Sequence, residues 1–316
     1  MTDVLGIIST TLLYSAPLIY AALGGVISEN GGVVNIGLEG MMAIGAIMGA
    51  TVGYYVGNPW LAFLCGGLGG MALALLHAIA TVNFSADHIV SGIAINLIGP
   101  GLALFLSRLF FDGAAMTKPI PFDNKLPQLF TGIFKPENLE RMPWLKPLKI
   151  IFQQYVIVYI AILLVVLMWF VLYKTKLGLR IRAVGEHPKA AETLGIDVYK
   201  IKYICVLSSG FLAGLGGASM SLAIVSNYRE TLISGQGFIA LAAMIFGGWK
   251  PQGALGACIL FGAAQGVAVF LGNKGINVDP NLLSMLPYII TIIVLLAFVK
   301  GVRMPAADGQ PYERNK

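Results

Sequence analysis

Charge is scarce in this sequence. Only 11% of its 316 residues are Asp, Glu, Lys or Arg, against 57% apolar, and the mean hydropathy is +0.80. One soluble core cannot hide that much apolar surface, so the chain is read as a bilayer protein. Cysteine is scarce too: Cys65, Cys205 and Cys258 each lie inside an apolar run, without CxxC spacing or a neighbouring histidine cluster. That excludes a disulfide framework and a zinc site, and leaves three small buried apolar residues. No Gly-Lys dipeptide occurs, so there is no GxxxxGK[ST] phosphate loop, and HExxH and GxSxG are missing as well. The chain is expected to hydrolyse no ATP itself and to hold no cofactor of its own. Its formal charge of +6 is gathered in a few polar gaps with no nucleic-acid motif, which fits anionic headgroups or an acidic partner. Asp3 and no basic residue precedes the first apolar stretch, which is therefore read as a span and not as a cleavable leader.

What the chain has in abundance is apolar runs near the length of about twenty residues that crosses hydrocarbon. They are Val4 to Ile27, Val33 to Val56, Trp60 to Val82, His88 to Ser107, Tyr155 to Tyr173, Tyr203 to Val225, Phe238 to Trp249, Ala254 to Leu271 and Leu282 to Val299. The fold class that follows is an all-α polytopic membrane protein with eight to ten transmembrane helices, forming a single transmembrane domain over 1–316. The run from Phe238 is short for a crossing at about 1.5 Å per residue, and extension back to Leu232 would help. Lys174, Lys176, Arg180, Arg182, Lys189, Lys200 and Lys202 crowd the gap 174–202, which is read as cytoplasmic. Parity of crossings then places the C-terminus inside, and the N-terminus and the gap 111–150 outside. That outer gap carries Pro119, Pro121, Pro127, Pro136, Pro143 and Pro147 with Phe122, Phe130, Phe134 and Trp144, so it is expected to be an ordered loop without a long helix.

Glycine is the second theme: the chain has 39, many of them crowding the early and late spans. Small residues let helix backbones approach where lipid supplies no hydrophobic drive. Two interrupted, glycine-rich regions, 29–40 and 226–237, resemble the broken helices that transporters place around a central site, and the odd number of crossings between them makes any related pair an inverted repeat.

Polar residues inside apolar runs are the site candidates. Glu39 is costly in a span unless it faces a cavity, a partner or a helix N-terminus. Asn35, Asn96 and Gln265 suit either a polar ligand or a neighbouring helix. Phe238 suits a planar ligand or simple packing. His77 reads as a satisfied interior histidine, and His88, beside Asp87, as the end of a helix. In the basic gap, Pro188 suits a first helical position and Gly195 the left-handed position beyond the last, bounding a helix of about two turns. So short a helix holds only if flanking spans or another protein receive it.

These residues carry a family resemblance. Val33-Val34-Asn35-Ile36-Gly37-Leu38-Glu39-Gly40, then Gly185-Glu186-His187-Pro188-Lys189-Ala190-Ala191-Glu192-Thr193-Leu194-Gly195-Ile196, then Ser209-Gly210-Phe211-Leu212-Ala213-Gly214 and Gly237-Phe238-Ile239-Ala240 resemble the membrane subunits of ABC importers for simple sugars and nucleosides. The Asn-Ile-Gly-Leu-Glu-Gly form is most similar to the shorter permease of bacterial nucleoside importers. The resemblance implies that Glu186, His187, Pro188, Lys189, Ala190, Ala191, Glu192 and Leu194 form a coupling helix docking on a separate cytoplasmic ATPase, which holds the ATP and magnesium. It also implies a second, non-identical permease, an extracellular binding lipoprotein, a bacterial cell membrane, and alternating access about a cavity for which Asn35, Glu39, Asn96, Phe238 and Gln265 are lining candidates. His187 departs from the asparagine common at its place, and both residues are able to cap a helix. The rival readings are the same role for a simple sugar, a proton-coupled carrier using Glu39, Asp87 or His88, and a channel or scaffold that needs no docking helix.

Overall fold

The computed structural model describes residues 2–134, 140, 142, 144–273, 285, 289, 292–293 and 303–313. These residues form helices α1 (Thr2–Asn30), α2 (Leu38–Tyr55), α3 (Pro59–Ala78), α4 (His88–Phe110), α5 (Leu145–Phe152), α6 (Val156–Lys174), α7 (Lys176–Glu186), α8 (Pro188–Thr193), α9 (Val198–Ser219), α10 (Gln236–Phe246) and α11 (Pro251–Asn273). Among the described residues there is no strand. Six stretches are long and apolar enough to cross a membrane: Asp3–Asn30, Pro59–Asn83, His88–Phe110, Val156–Lys174, Val198–Ile224 and Pro251–Gly272. Helices α2 and α10 occupy the runs at Val33 and Phe238, each only part of a crossing. The ninth run, Leu282 to Val299, lies almost wholly outside the described residues.

Local chemistry sets the helix starts. Asn58 accepts from the amides of Trp60 and Leu61 at 3.0 and 3.1 Å, with Pro59 filling the position that lacks a donor. Asp87 accepts from Ile89 and Val90 at 2.8 and 3.0 Å. His88 therefore opens α4, whereas the sequence reading had it close a helix; the side chain that explains the boundary is its neighbour's carboxylate.

Glycine decides how the helices meet. A Cβ on Gly70 would lie 2.3 Å from the Gly210 carbonyl oxygen, and one on Gly45 would lie 2.1 Å from that of Gly214, so α3 and α2 each touch α9 backbone to backbone. Gly262 and Gly266 of α11 approach Ser15 and Thr11 of α1 in the same manner. The contacts pair off in two sets. Helices α9 and α3 run antiparallel and form the most extensive contact, and α1 and α11 match them in the other half. Helix α2 runs parallel to α9, as α10 does to α1, where Gly25 meets Met244. Cys205 and Cys258 are buried in this packing, while Cys65 is half-exposed on α3.

The bundle has two distinct ends. At one, the basic end, α1 finishes and α7 and α8 lie across the spans. At the other, the proline-rich end, residues 111–134 cross over the helix tips, held by amide bonds from Thr117 to the Tyr228 carbonyl and from Ile120 to that of Ser226, at 3.0 and 2.8 Å.

Candidate functional site

Between α1 and α2 the chain turns back into the bundle as non-helical backbone. Gly32, at φ +78°, makes the turn, and residues 33–37 climb beside α9 before α2 begins. Non-helical backbone inside a bundle needs a partner for every N–H and C=O that a helix would have paired internally. Side chains supply them. Ser28 Oγ donates to the Val33 carbonyl at 2.6 Å, the Val34 amide donates to His88 Nδ1 at 3.3 Å, and His77 Nε2 lies 3.1 Å from the Val34 carbonyl. Asn35 is fully buried; its Oδ1 accepts from Gly37 at 3.1 Å and its Nδ2 donates to Ser209 Oγ at 2.8 Å. Asn96, on α4, donates to the Ile36 carbonyl and accepts from the Gly40 amide, both at 2.9 Å, spanning the start of α2.

The second break mirrors the first. After α9 and a π-helical turn over Met220–Ile224, the chain descends through a 3-10 turn at Glu230–Leu232 to Gly235, at φ +81°, where α10 starts. The tips of α2 and α10 meet here. Glu39 Oε1 accepts from Gly235 and Oε2 from Gly237, both at 2.6 Å. One carboxylate thus serves the N-terminal ends of two half-helices, where both macrodipoles are positive. A Cβ on Gly237 would sit 2.4 Å from the Glu39 amide nitrogen, so only glycine admits the contact.

Beside the joint lies a cavity of about 310 Å³, lined by Glu39, Ala43, Pro100, Glu230, Thr231, Ile233 and Ser234. Phe238, in the first turn of α10, is 49% exposed. Gln265 stands further back, 8% exposed and donating to Gln236 Oε1 at 3.0 Å. The structure therefore places Glu39 on the cavity and Phe238 on an open surface. Asn35 and Gln265 lie behind the wall, and Asn96 braces the break. The bracing roles of His77, His88 and Ser28 were not visible in sequence order, since each serves backbone of another segment or the turn after its own helix.

The basic end is built around α8. Thr175 Oγ1 caps α7 through the Gly178 amide at 3.1 Å, and Arg182 both donates to the Leu172 carbonyl at 3.1 Å and stacks on Tyr173. These bonds fix the platform from which α8 projects. Pro188 takes the first helical position, and Gly195, at φ +79°, ends the element as its sequence indicates. His187 holds the N-cap position with no side-chain capping bond, a correction to the capping expected of it: its extended backbone alone starts the helix. Ala191 turns inward at 2% exposure, and Glu192 is partly covered. Glu186, His187, Lys189, Ala190 and Leu194 face out, Leu194 at 82% exposure.

Comparison with known proteins gives the family. The family described as "Branched-chain amino acid transport system / permease component" matches residues 7–295. The guanosine ABC transporter permease protein NupQ of Bacillus subtilis is 44% identical, over 98% of this chain and 97% of the relative. The nucleoside ABC transporter permease protein NupC of Lactococcus lactis is also 44% identical, over the same shares. A putative glucose ABC transporter permease protein of Haloferax volcanii, TsgC13, is 34% identical over 99% of both chains. The chain, a multi-pass membrane protein whose broken helices meet at a glycine joint, belongs to the family of branched-chain amino acid transport system permease components.

Proposed function

We propose that this chain is one of two non-identical permease subunits of an ATP-driven nucleoside importer in the bacterial cell membrane. The observation that carries the reading is the coexistence of a paired helix break beside a polar cavity with an exposed, outward-facing α8 at the basic end. In this reading the basic end is cytoplasmic, with 174–202 as the coupling loop, and 111–150 lies outside, where a binding lipoprotein delivers substrate. ATP and its magnesium bind a partner ATPase that receives Glu186 to Leu194. Leu194 and Ala190 enter its groove, while Lys189 and Glu186 contribute charge-assisted contacts at the rim. Nucleotide-driven closure of the ATPases moves α8, and the spans rock about the joint at Glu39.

The cavity fits a hydroxyl-rich ring compound. Thr231, Ser234 and Glu230 offer ribose partners, and Phe238 offers a face for a base. Ile93, Leu97 and Phe238, exposed by 50%, 75% and 49%, form the apolar margin against which the second permease closes the pathway. Asn35, Asn96 and Gln265 act behind this wall by holding it in place. The two relatives at 44% identity are named for nucleosides, which favours that substrate over a simple sugar. A proton-coupled mechanism is disfavoured by the commitment of both Glu39 oxygens to backbone amides.

The test is uptake by the assembled complex in proteoliposomes. Purine and pyrimidine nucleosides are expected to be taken up with ATP and to outcompete glucose and pentoses; the opposite order would remove the nucleoside assignment. Ala190→Arg should leave the complex in the membrane and hydrolysing ATP while uptake is lost. Uptake driven by a pH gradient without any ATPase would remove the importer reading altogether.

A further inference from the structure

The C-terminal segment 303–313 is polar, short and rich in Pro and Gly, the composition of a solvated tail. It does not lie free. Ala307, Asp308 and Tyr312 are 5%, 5% and 6% exposed, as buried as the helix core. A turn orders the segment, with Asp308 N–H donating to the Pro305 carbonyl at 3.1 Å and Gly309 at φ +74°.

This turn touches the three places where motion would have to pass. The Ala307 amide donates to the Gly185 carbonyl at 2.9 Å and the Ala306 amide to Glu186 Oε2 at 3.3 Å, directly before α8. Gly185 is held from the other side as well, since a Cβ on it would lie 2.2 Å from the Asn30 carbonyl oxygen at the end of α1. The Asp308 carboxyl meets that of Glu29 in the last turn of α1, one residue before the chain turns into the first break. Glu29 Oε2 in turn accepts from Trp249 Nε1 at 2.5 Å, just past α10, and Asn30 Nδ2 donates to the Trp249 carbonyl at 3.0 Å. Lys202 Nζ closes the cluster, donating to the Gly32 carbonyl at 3.3 Å. On the outer side, a groove of about 490 Å³ has α8 as one wall and Ala306, Gln310 and Pro311 on the other.

We propose that the C-terminal turn is a working part of the coupling site: a strap that ties the approach to α8 to the basic ends of both broken segments, with Asp308 as its positioning residue. The strap rests on the coupling role assigned to α8 above. A displaced α8 drags Gly185 and Ala307, and Asp308 hands the displacement to Glu29 and Trp249, so one push reaches both broken segments. An ATPase segment seated in the groove would press on helix and strap together.

The test compares Asp308→Ala and Asp308→Asn in the complete reconstituted transporter, reading nucleoside uptake per ATP hydrolysed. Ala cuts the strap and is expected to lower that ratio about tenfold while ATP is still hydrolysed, in line with the usual size of inter-site coupling. Asn keeps a hydrogen-bonding side chain toward Glu29 and is expected to restore the ratio to within about twofold of wild type. Should Asp308→Ala fail to assemble, Ala307→Pro removes the amide bonded to Gly185 without touching the acidic cluster, and a lowered ratio is again expected. A wild-type ratio in whichever variant assembles overturns the strap. The underlying reading fails differently: there Ala190→Arg itself would leave the ratio unchanged.

Discussion

The two helix breaks meet at Glu39, but they are held by different means. Residues 31–37 are almost wholly buried, and side chains from α1, α3 and α4 satisfy their backbone. Residues 226–235 lean on the proline-rich crossover through Thr117 and Ile120, and Arg229, Glu230, Thr231 and Ser234 are exposed. The contrast is between a break braced by side chains of three helices and one that leaves exposed residues beside the cavity. Buried side-chain bonds to backbone stiffen what they hold. Backbone that shares its bonds with water and a surface crossover opens at low cost.

Four substitutions test this contrast, the most damaging first. Gly237→Val places carbon atoms against the backbone of Glu39, where nothing flexible is able to yield, and is expected to abolish the assembled complex. Recovery of a normally folded, active variant would mean that the tips do not touch. Glu39→Ala strips the partner from two amides at membrane depth, at about 1–3 kcal/mol each, and uptake should fall by more than tenfold, with Gln recovering part because it retains one acceptor. Next, Asn96→Ala should destabilise the purified complex by about 2 kcal/mol, whereas Thr117→Val, which removes the acceptor of the Tyr228 amide, should cost less than half of that. Equal losses in thermal unfolding would erase the distinction between a braced and an open break.

The smallest effect is a pH dependence beneath the braced side. Burial first, and then the negative charge of Glu29, hold the Asp308 carboxyl above the usual aspartate range, with nearby Lys202 opposing. The docked turn therefore keeps a proton that a free tail would release. Between the ordinary aspartate range and the raised value, docking weakens as pH rises, because the unfolded tail binds fewer protons than the docked one. Wild type should lose about 2 °C more in melting temperature than Asp308→Asn between pH 6 and pH 8. Parallel melting curves for the two proteins over that range would contradict the retained proton.

Much of this architecture could be read in the sequence. Six of the nine runs located stretches able to cross, Pro188 and Gly195 bounded α8, the glycine spacings foretold close helix contacts, and His77 proved to be the satisfied interior residue it resembled. Hydropathy, however, measures how apolar a run is and not whether its backbone stays helical. Val33 to Gly37 count toward a span while lying outside any helix. The same blindness hides what Asn96 and His88 do, because each spends its polarity on backbone 60 and 54 residues away. The C-terminal turn was equally hidden: polar composition announces a solvated tail, and only tertiary contact reveals that Asp308 is covered.

Glu39 and Gly235 are separated by 196 positions in the chain. Synthesis therefore delivers the acid to the membrane long before its two amide donors exist, into a solvent that offers it no substitute. The first half alone is thus an unfinished object: its Glu39 carboxylate lacks the Gly235 and Gly237 amides that it serves in the completed bundle.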